Sequence, residues 1–120
     1  MSRELVREML EPFSAQEFEG QLSCNLPIPD SGRSQQVMVL FTETGFWITS
    51  PFADAEQLAP KMAFKLGLEA AYGIAEVEGI YYVKHFIFFD EMVEKFVLLH
   101  CYAVAICADR LEEYSGKDIY

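Results

Sequence analysis

Apolar positions first recur along the chain at helical spacing. In SRELVREMLE, Leu5, Val6, Met9 and Leu10 fall on one face, which predicts a short amphipathic helix that Pro12 ends. The pattern then switches to alternation. In EFEGQLSCNLP, Phe18, Gly20, Leu22, Cys24 and Leu26 share one side, which predicts a strand with Pro27 and Pro29 at its exit. DSGRSQ has the composition of a turn. QVMVLFTE follows as a second strand, apolar on both sides and therefore central. ETGF is a tight hairpin signal in which Gly45 supplies a permissive dihedral, and FWITSPF is the third strand.

ADAEQLAPKMAFKLGLEAAY has helical propensity. Asp54 and Gln57 have capping-box spacing, which starts the helix there. Pro60 either kinks this helix or divides it in two, and Gly67 and Gly73 weaken its later part. YGIAEVEGIYYVKHFIFF reads as two strands turning near Glu78 and Gly79. In the second arm, Ile80, Tyr82, Lys84, Phe86 and Phe88 lie on one face, and Tyr81, Val83, His85, Ile87 and Phe89 on the other. Both faces are largely apolar, which predicts cover on both sides. Asp90 is a good N-cap for a long helix to about Tyr114, and SGKDIY is a polar tail that Gly116 helps release. The order helix, three strands, helix, two strands, helix predicts one α+β domain over residues 1–120. Its sheet is five-stranded and mainly antiparallel, with helices packed on it.

The last helix contains FVLLHCYAVAICA, residues 96–108 without a charge. A membrane span needs about 20 apolar residues, and this run is cut short by Glu94–Lys95 and Asp109–Arg110. It therefore packs within or between proteins. On a helical wheel Val93, Phe96, Val97, His100, Val104, Cys107 and Leu111 fall within one arc, wide enough to cover a sheet. Leu98, Leu99, Tyr102, Ala105 and Ile106 lie opposite, as an apolar island rimmed by Lys95, Asp109 and Glu113. Such an island needs a cover. Two are open: the N-terminal helix through Leu5, Val6, Met9 and Leu10, or a second copy of the chain or a partner peptide.

Composition narrows the partners. The 120 residues are 52% apolar and 14% aromatic, enough for a packed core without disulfides or metals. Nineteen carboxylates against nine Lys and Arg leave a net charge of −10. That balance disfavours nucleic acid and anionic lipid surfaces, and favours solubility and basic protein partners. Cys24, Cys101 and Cys107 are odd in number and widely spaced, and MSRELVREML lacks the apolar core of a secretory leader. Reduced, buried thiols in a cytoplasmic protein are the expectation.

The order of elements, the strand pair YGIAEVEGIYYVKHFIFFDEM leading into the last helix, and the closing ADRLEE together carry a resemblance. The chain resembles the type III secretion chaperone-like fold, and within it looks most like the YbjN-like family of bacterial proteins. The resemblance implies a twisted antiparallel sheet with helices packed on it, a homodimer, and binding of extended client segments on apolar patches. YbjN-like members have no established catalytic residues and are linked to stress or regulatory roles. Pro60 and Gly67 interrupt the middle helix, which in secretion chaperones often helps to form the dimer.

Catalytic signatures are missing from the pattern. His85 sits in mid-strand and His100 in mid-helix, each among apolar neighbours, which favours buried, hydrogen-bonded core histidines. Cys101 and Cys107 are about 120° apart on the wheel, and no Cys or His pair has metal-ligand spacing. No metal or cofactor is expected. There is no phosphate loop and no nucleophile elbow. Glu76 and Glu78 share one strand face near a turn, the pattern of solvated edge residues rather than an acid/base pair. Trp47, with Phe46 and Phe52, is core packing, or else an exposed stacking platform.

The expectation is thus a non-enzymatic, protein-binding domain, chaperone-like or regulatory, acting as a homodimer. Leu98, Leu99, Tyr102, Ile106, Tyr81 and Tyr82 are its candidate contact residues, although the two tyrosines face opposite ways. The alternative is a small-ligand module with an apolar pocket between sheet and helix, lined by phenylalanines, with His85 or Tyr82 orienting the ligand.

Overall fold

Alternation of burial along the strands sets one sheet face against the helices and leaves the other open. The computed structural model describes residues 2–56, 58–70 and 72–115. Its elements are α1 (Ser2–Leu10), β1 (Gln16–Phe18), β2 (Gln21–Pro27), β3 (Ser34–Phe41), β4 (Gly45–Asp54), α2 (Pro60–Glu69), β5 (Gly73–Val77), β6 (Ile80–Phe88) and α3 (Glu94–Ser115). All six strands form one antiparallel sheet in the order β1-β2-β3-β4-β6-β5.

The sixth strand corrects the expected five. EFEGQLSCNLP does not run as one strand. It breaks at Glu19 and Gly20, both at positive φ (51° and 79°), and Phe18 pairs with Gln21 across a two-residue hairpin. Glu78 and Gly79 make the same left-handed turn (51° and 85°) between β5 and β6. Such pairs match the right-handed twist of a hairpin. The break moves Phe18 onto the open face, where it is 75% exposed, while Leu22, Cys24 and Leu26 stay in the core.

Pro60 neither kinks nor divides α2. It opens the helix, where a missing N–H costs nothing. The residues before it continue β4 to Asp54 and then turn, with the Ala55 amide donating to the Gly79 carbonyl (2.7 Å). The expected capping box falls on Gln57, which lies outside the described residues, as does the tail at 116–120. Gly73 belongs to β5 rather than to a helix end.

Gly45 is not at positive φ. The tight connection is held by Thr42, whose Oγ1 accepts from the Gly45 amide (3.1 Å). Gly45 is required instead by closeness: a Cβ there would overlap the carbonyl oxygen of Ile87 on β6 and the Phe86 ring.

Asp90 does not cap α3. It lies in a 3-10 turn, Phe89–Glu91, anchored to the β3–β4 connection by the Phe89 amide donating to the Thr44 carbonyl (2.9 Å) and by the Phe89 ring on Phe46. The long helix starts four residues later, at Glu94.

All three helices lie on the face that carries Val37, Val39, Phe46, Ile48, Phe52, Tyr81 and Val83. Helix α3 crosses it mainly over β4. It is turned from the expected orientation. Val97, Val104 and Leu111 are buried as the wheel required, but Val93 and Phe96 are exposed, and Cys101, Ala105 and Ala108 fill the contact. Volume is the physical reason: the sheet already brings the fully buried Phe46 and Phe52 to this core, and small helix residues share it at close packing. Arg33, on the β2–β3 connection, clasps the end of this helix. Its Nη2 and Nε donate to the two oxygens of the buried Asp109 (2.7 and 3.2 Å), and Nη2 also donates to Glu113 (2.9 Å).

Candidate functional site

The six residues expected to make contacts do not share one surface. On α3, Leu99 is 60% exposed, while Leu98, Tyr102 and Ile106 are half-buried against the core. Ala105, placed on the same island, is fully buried. The N-terminal segment supplies part of the cover: Val6 and Leu10 are fully buried, and the Phe13 ring meets the Tyr102 ring edge-on at 5.9 Å. Tyr81 is interior, stacked on Phe52 at 6.0 Å. Tyr82 points the other way, out of the helix-free face.

That face is the largest feature the periodicity misjudged. Strand β6 was expected to be covered on both sides, but the described helices occupy only one. The other carries Met38 and Leu40 of β3, Trp47 of β4, and Tyr82, Phe86 and Phe88 of β6. Leu40 and Phe88 are exposed, and the rest are half-buried by one another. Trp47 meets Phe86 at 4.9 Å, Phe86 meets Phe88 at 4.8 Å, and the Lys84 ammonium sits 4.7 Å over the Trp47 ring. Trp47 is therefore part of an open aromatic platform, while Phe46 and Phe52 are core. Between the strand ends, Lys84 is the one charge on this face. A hollow of about 290 Å³ lies between Leu40, Trp47, Tyr82 and Val77.

A second apolar feature lies at the sheet edge. Helix α2 runs beside β5, and between them is an open groove of about 470 Å³. The helix contributes Ala63, Gly67, Phe64 and Leu68, the last two 73% and 74% exposed. Gly67 lets the helix approach, since a Cβ there would stand 3.3 Å from the Ile74 side chain. The strand contributes Ile74, Ala75 and Glu76. Tyr81, rather than His85 or Tyr82, closes the floor.

The histidines were read as separate core residues, and the fold brings them together. His85 and His100 lie ring to ring at 5.0 Å, and Tyr72 meets the His85 ring at 4.8 Å and the His100 Nδ1 through its hydroxyl at 3.5 Å. No spacing along the chain encodes this, because the three residues sit on a loop, β6 and α3. The group is half-buried. Burial, then the neighbouring His100 charge, hold His85 below its ordinary pKa. Burial, then Cys107, push the Tyr72 hydroxyl up.

The His85 shift has a direction for stability. Above about pH 6.5 the ring is neutral folded and unfolded, and nothing is lost. As pH falls below that, the unfolded chain takes the proton more readily, so stability declines until the folded-state pKa is passed. Urea midpoints of the parent are expected to fall between about pH 7 and pH 5, and those of His85→Gln to fall less. Parallel curves would remove His85 as the cause.

Two buried thiols are quiet. Burial pushes Cys24 up to about 11 and Cys101 up to about 12, far from the thiolate form that reacts. Among the described residues no group of three or more His, Cys, Asp and Glu converges as metal ligands, and no helix is long and apolar enough to cross a membrane. No family model matches the chain, and no curated protein or solved structure matches it significantly.

Proposed function

We propose that the chain is a non-enzymatic protein-binding domain, chaperone-like or regulatory, that works in the cytoplasm as a homodimer and offers apolar surface to client segments. The observation that carries this reading is the helix-free sheet face, where Leu40 and Phe88 are exposed and Trp47 and Phe86 are half-buried beside them. Contiguous apolar surface on this scale marks an interaction site. The resemblance to secretion-chaperone folds and YbjN-like proteins supports the same reading.

A second copy is the partner that suits this face. The chain carries 19 carboxylates, so most contacts between copies bring like charges together, whereas this face holds a single lysine. Six strands about 4.8 Å apart and about 20 Å long span on the order of 500 Å² in plan, comparable with the roughly 800 Å² of accessible surface per partner in a standard interface. Two such faces pack as the layers of a sandwich, about 10 Å apart.

The test is mass in solution. The parent is expected to be a dimer, and Trp47→Glu with Phe86→Glu to give a folded monomer. A parent that is monomeric at about 100 μM, well above the Kd of standard-sized interfaces, would end the homodimer reading, and a dimer unchanged by the two substitutions would move the interface elsewhere. A second reading, a small-ligand module, draws on the groove between α2 and β5, whose volume lies in the range of small-molecule sites. Its open mouth favours a chain segment over an enclosed ligand.

A further inference from the structure

Strand β5 is the outermost strand of the sheet, paired only with β6. Its other edge presents backbone N–H and C=O groups with no strand of the described residues beside them, the template for strand addition. The groove runs along that edge. Ile74, Ala75 and Glu76 all line it, and neighbouring residues of a strand point to opposite faces, so the wall they share is the backbone edge itself. Phe64 and Leu68 stand beside it, four residues apart on α2 and nearly three-quarters exposed.

We infer that the β5 edge and the α2 groove form a docking site for an extended segment of a basic partner protein, which adds as a seventh strand. The inference rests on the protein-binding reading, but uses a different surface from the dimer face. The site specifies side chains as well as backbone. Ile74 and Glu76 point to the helical side of the sheet, as their partners Val83 and Tyr81 do. The incoming residue beside Ile74 therefore enters the groove between Phe64 and Leu68, and is apolar. The residue two positions away lies beside Glu76, the single charge among the described residues of the groove wall, and is Lys or Arg. The preferred segment reads apolar-x-basic, in either chain direction. A second copy of β5 fits worse, because it brings its own Glu76 and its own α2 to the same edge.

The test uses the intact chain and two fluorescein-labelled peptides, Ser-Thr-Val-Thr-Leu-Thr-Lys-Thr-Ser and its reversed sequence, read by anisotropy. At least one is expected to bind. Replacing its lysine by glutamate weakens binding about fivefold, the scale of a cross-strand charge pair. The preference inverts in Glu76→Lys, whose exposed position leaves the fold intact. N-methylation of one alternate set of peptide amides abolishes binding, and Leu68→Asp weakens it about tenfold or more, as loss of a buried leucine does. Binding by neither peptide up to about 1 mM, the weak limit of specific association, overturns the inference. So does a charge preference unchanged in Glu76→Lys. Binding indifferent to N-methylation also overturns it, and marks the groove as an apolar pocket instead. Mass in solution, measured on the same samples, separates the two readings. A dimer without peptide binding removes the groove alone, and a monomer that binds peptide removes the homodimer alone.

Discussion

Val104→Asp is expected to abolish cooperative folding, while Leu99→Asp, on the same helix, leaves the melt almost unchanged. The two positions are both apolar and lie on nearly opposite sides of α3, and their surroundings differ completely. Val104 is fully buried in the core over the sheet, and Leu99 is 60% exposed. An aspartate at 104 would be desolvated in an apolar core. That costs several kcal/mol, on the order of the 5–15 kcal/mol that holds a domain together. An aspartate at 99 stays hydrated and changes stability by less than about 0.5 kcal/mol. Far-UV circular dichroism with thermal melts checks both. Equal damage at the two sites would mean that α3 is buried all round, and greater damage at Leu99 would mean that it is turned the other way.

Gly45→Val is expected to be nearly as severe, for a reason that has nothing to do with dihedral freedom. Its Cβ would overlap the Ile87 carbonyl oxygen and come to 2.9 Å from the Phe86 ring. A ring can move. The carbonyl cannot, because it belongs to the backbone of β6, paired with β4 in the middle of the sheet. Strands β4 and β6 would have to part, at a cost of about 3 kcal/mol or more, the upper range for overpacking. Gly20→Ala provides the contrast. Nothing lies within 4 Å of its Cβ, and only its φ of +79° resists, at about 1 kcal/mol. Urea midpoints of the three proteins check the ranking. A Gly45→Val protein as stable as Gly20→Ala would place the β4–β6 approach wrongly.

Two glycine turns, at Gly79 and Gly20, show how far a pattern reaches. Glu78–Gly79 was legible as a turn because long alternating runs flank it on both sides. Glu19–Gly20 is the same turn in the same conformation. It leaves no signal in the pattern because the strand before it has only three residues, too few to show a period of its own. Pro60 was equally visible, but whether a proline opens or breaks a helix depends on where the preceding strand ends. Strand β4 runs on to Asp54, past its bulge at Pro51–Ala53, and that length is set by pairing with β6 rather than by local propensity. Gln35, fully buried in β3, gave no apolar signal; its Nε2 donates to the Pro51 carbonyl (2.7 Å) and the Ser50 hydroxyl (3.2 Å), partners 16 and 15 residues away.

The candidate sites divide in the same way. Aromatic enrichment of β4 and β6 was plain, but the direction in which Trp47, Phe86 and Phe88 would find cover was not. Alternation tells which residues share a face, and only the landing places of α1, α2 and α3 decide which face becomes the core. The groove at β5 and the cluster of Tyr72, His85 and His100 arise where distant elements meet, so no local spacing announces them.

From the sequence alone came the α+β class, the three helices, the antiparallel run of strands and the acidic charge, because each follows from local period or from composition. The tertiary structure alone decided the rotation of α3, the sixth strand, the bare aromatic face and the edge groove. Those depend on how volumes from remote segments fit together, with Cys101, Ala105 and Ala108 of α3 sharing one core with Phe46 and Phe52 of β4, and close packing is a property of pairs of elements that no single element carries.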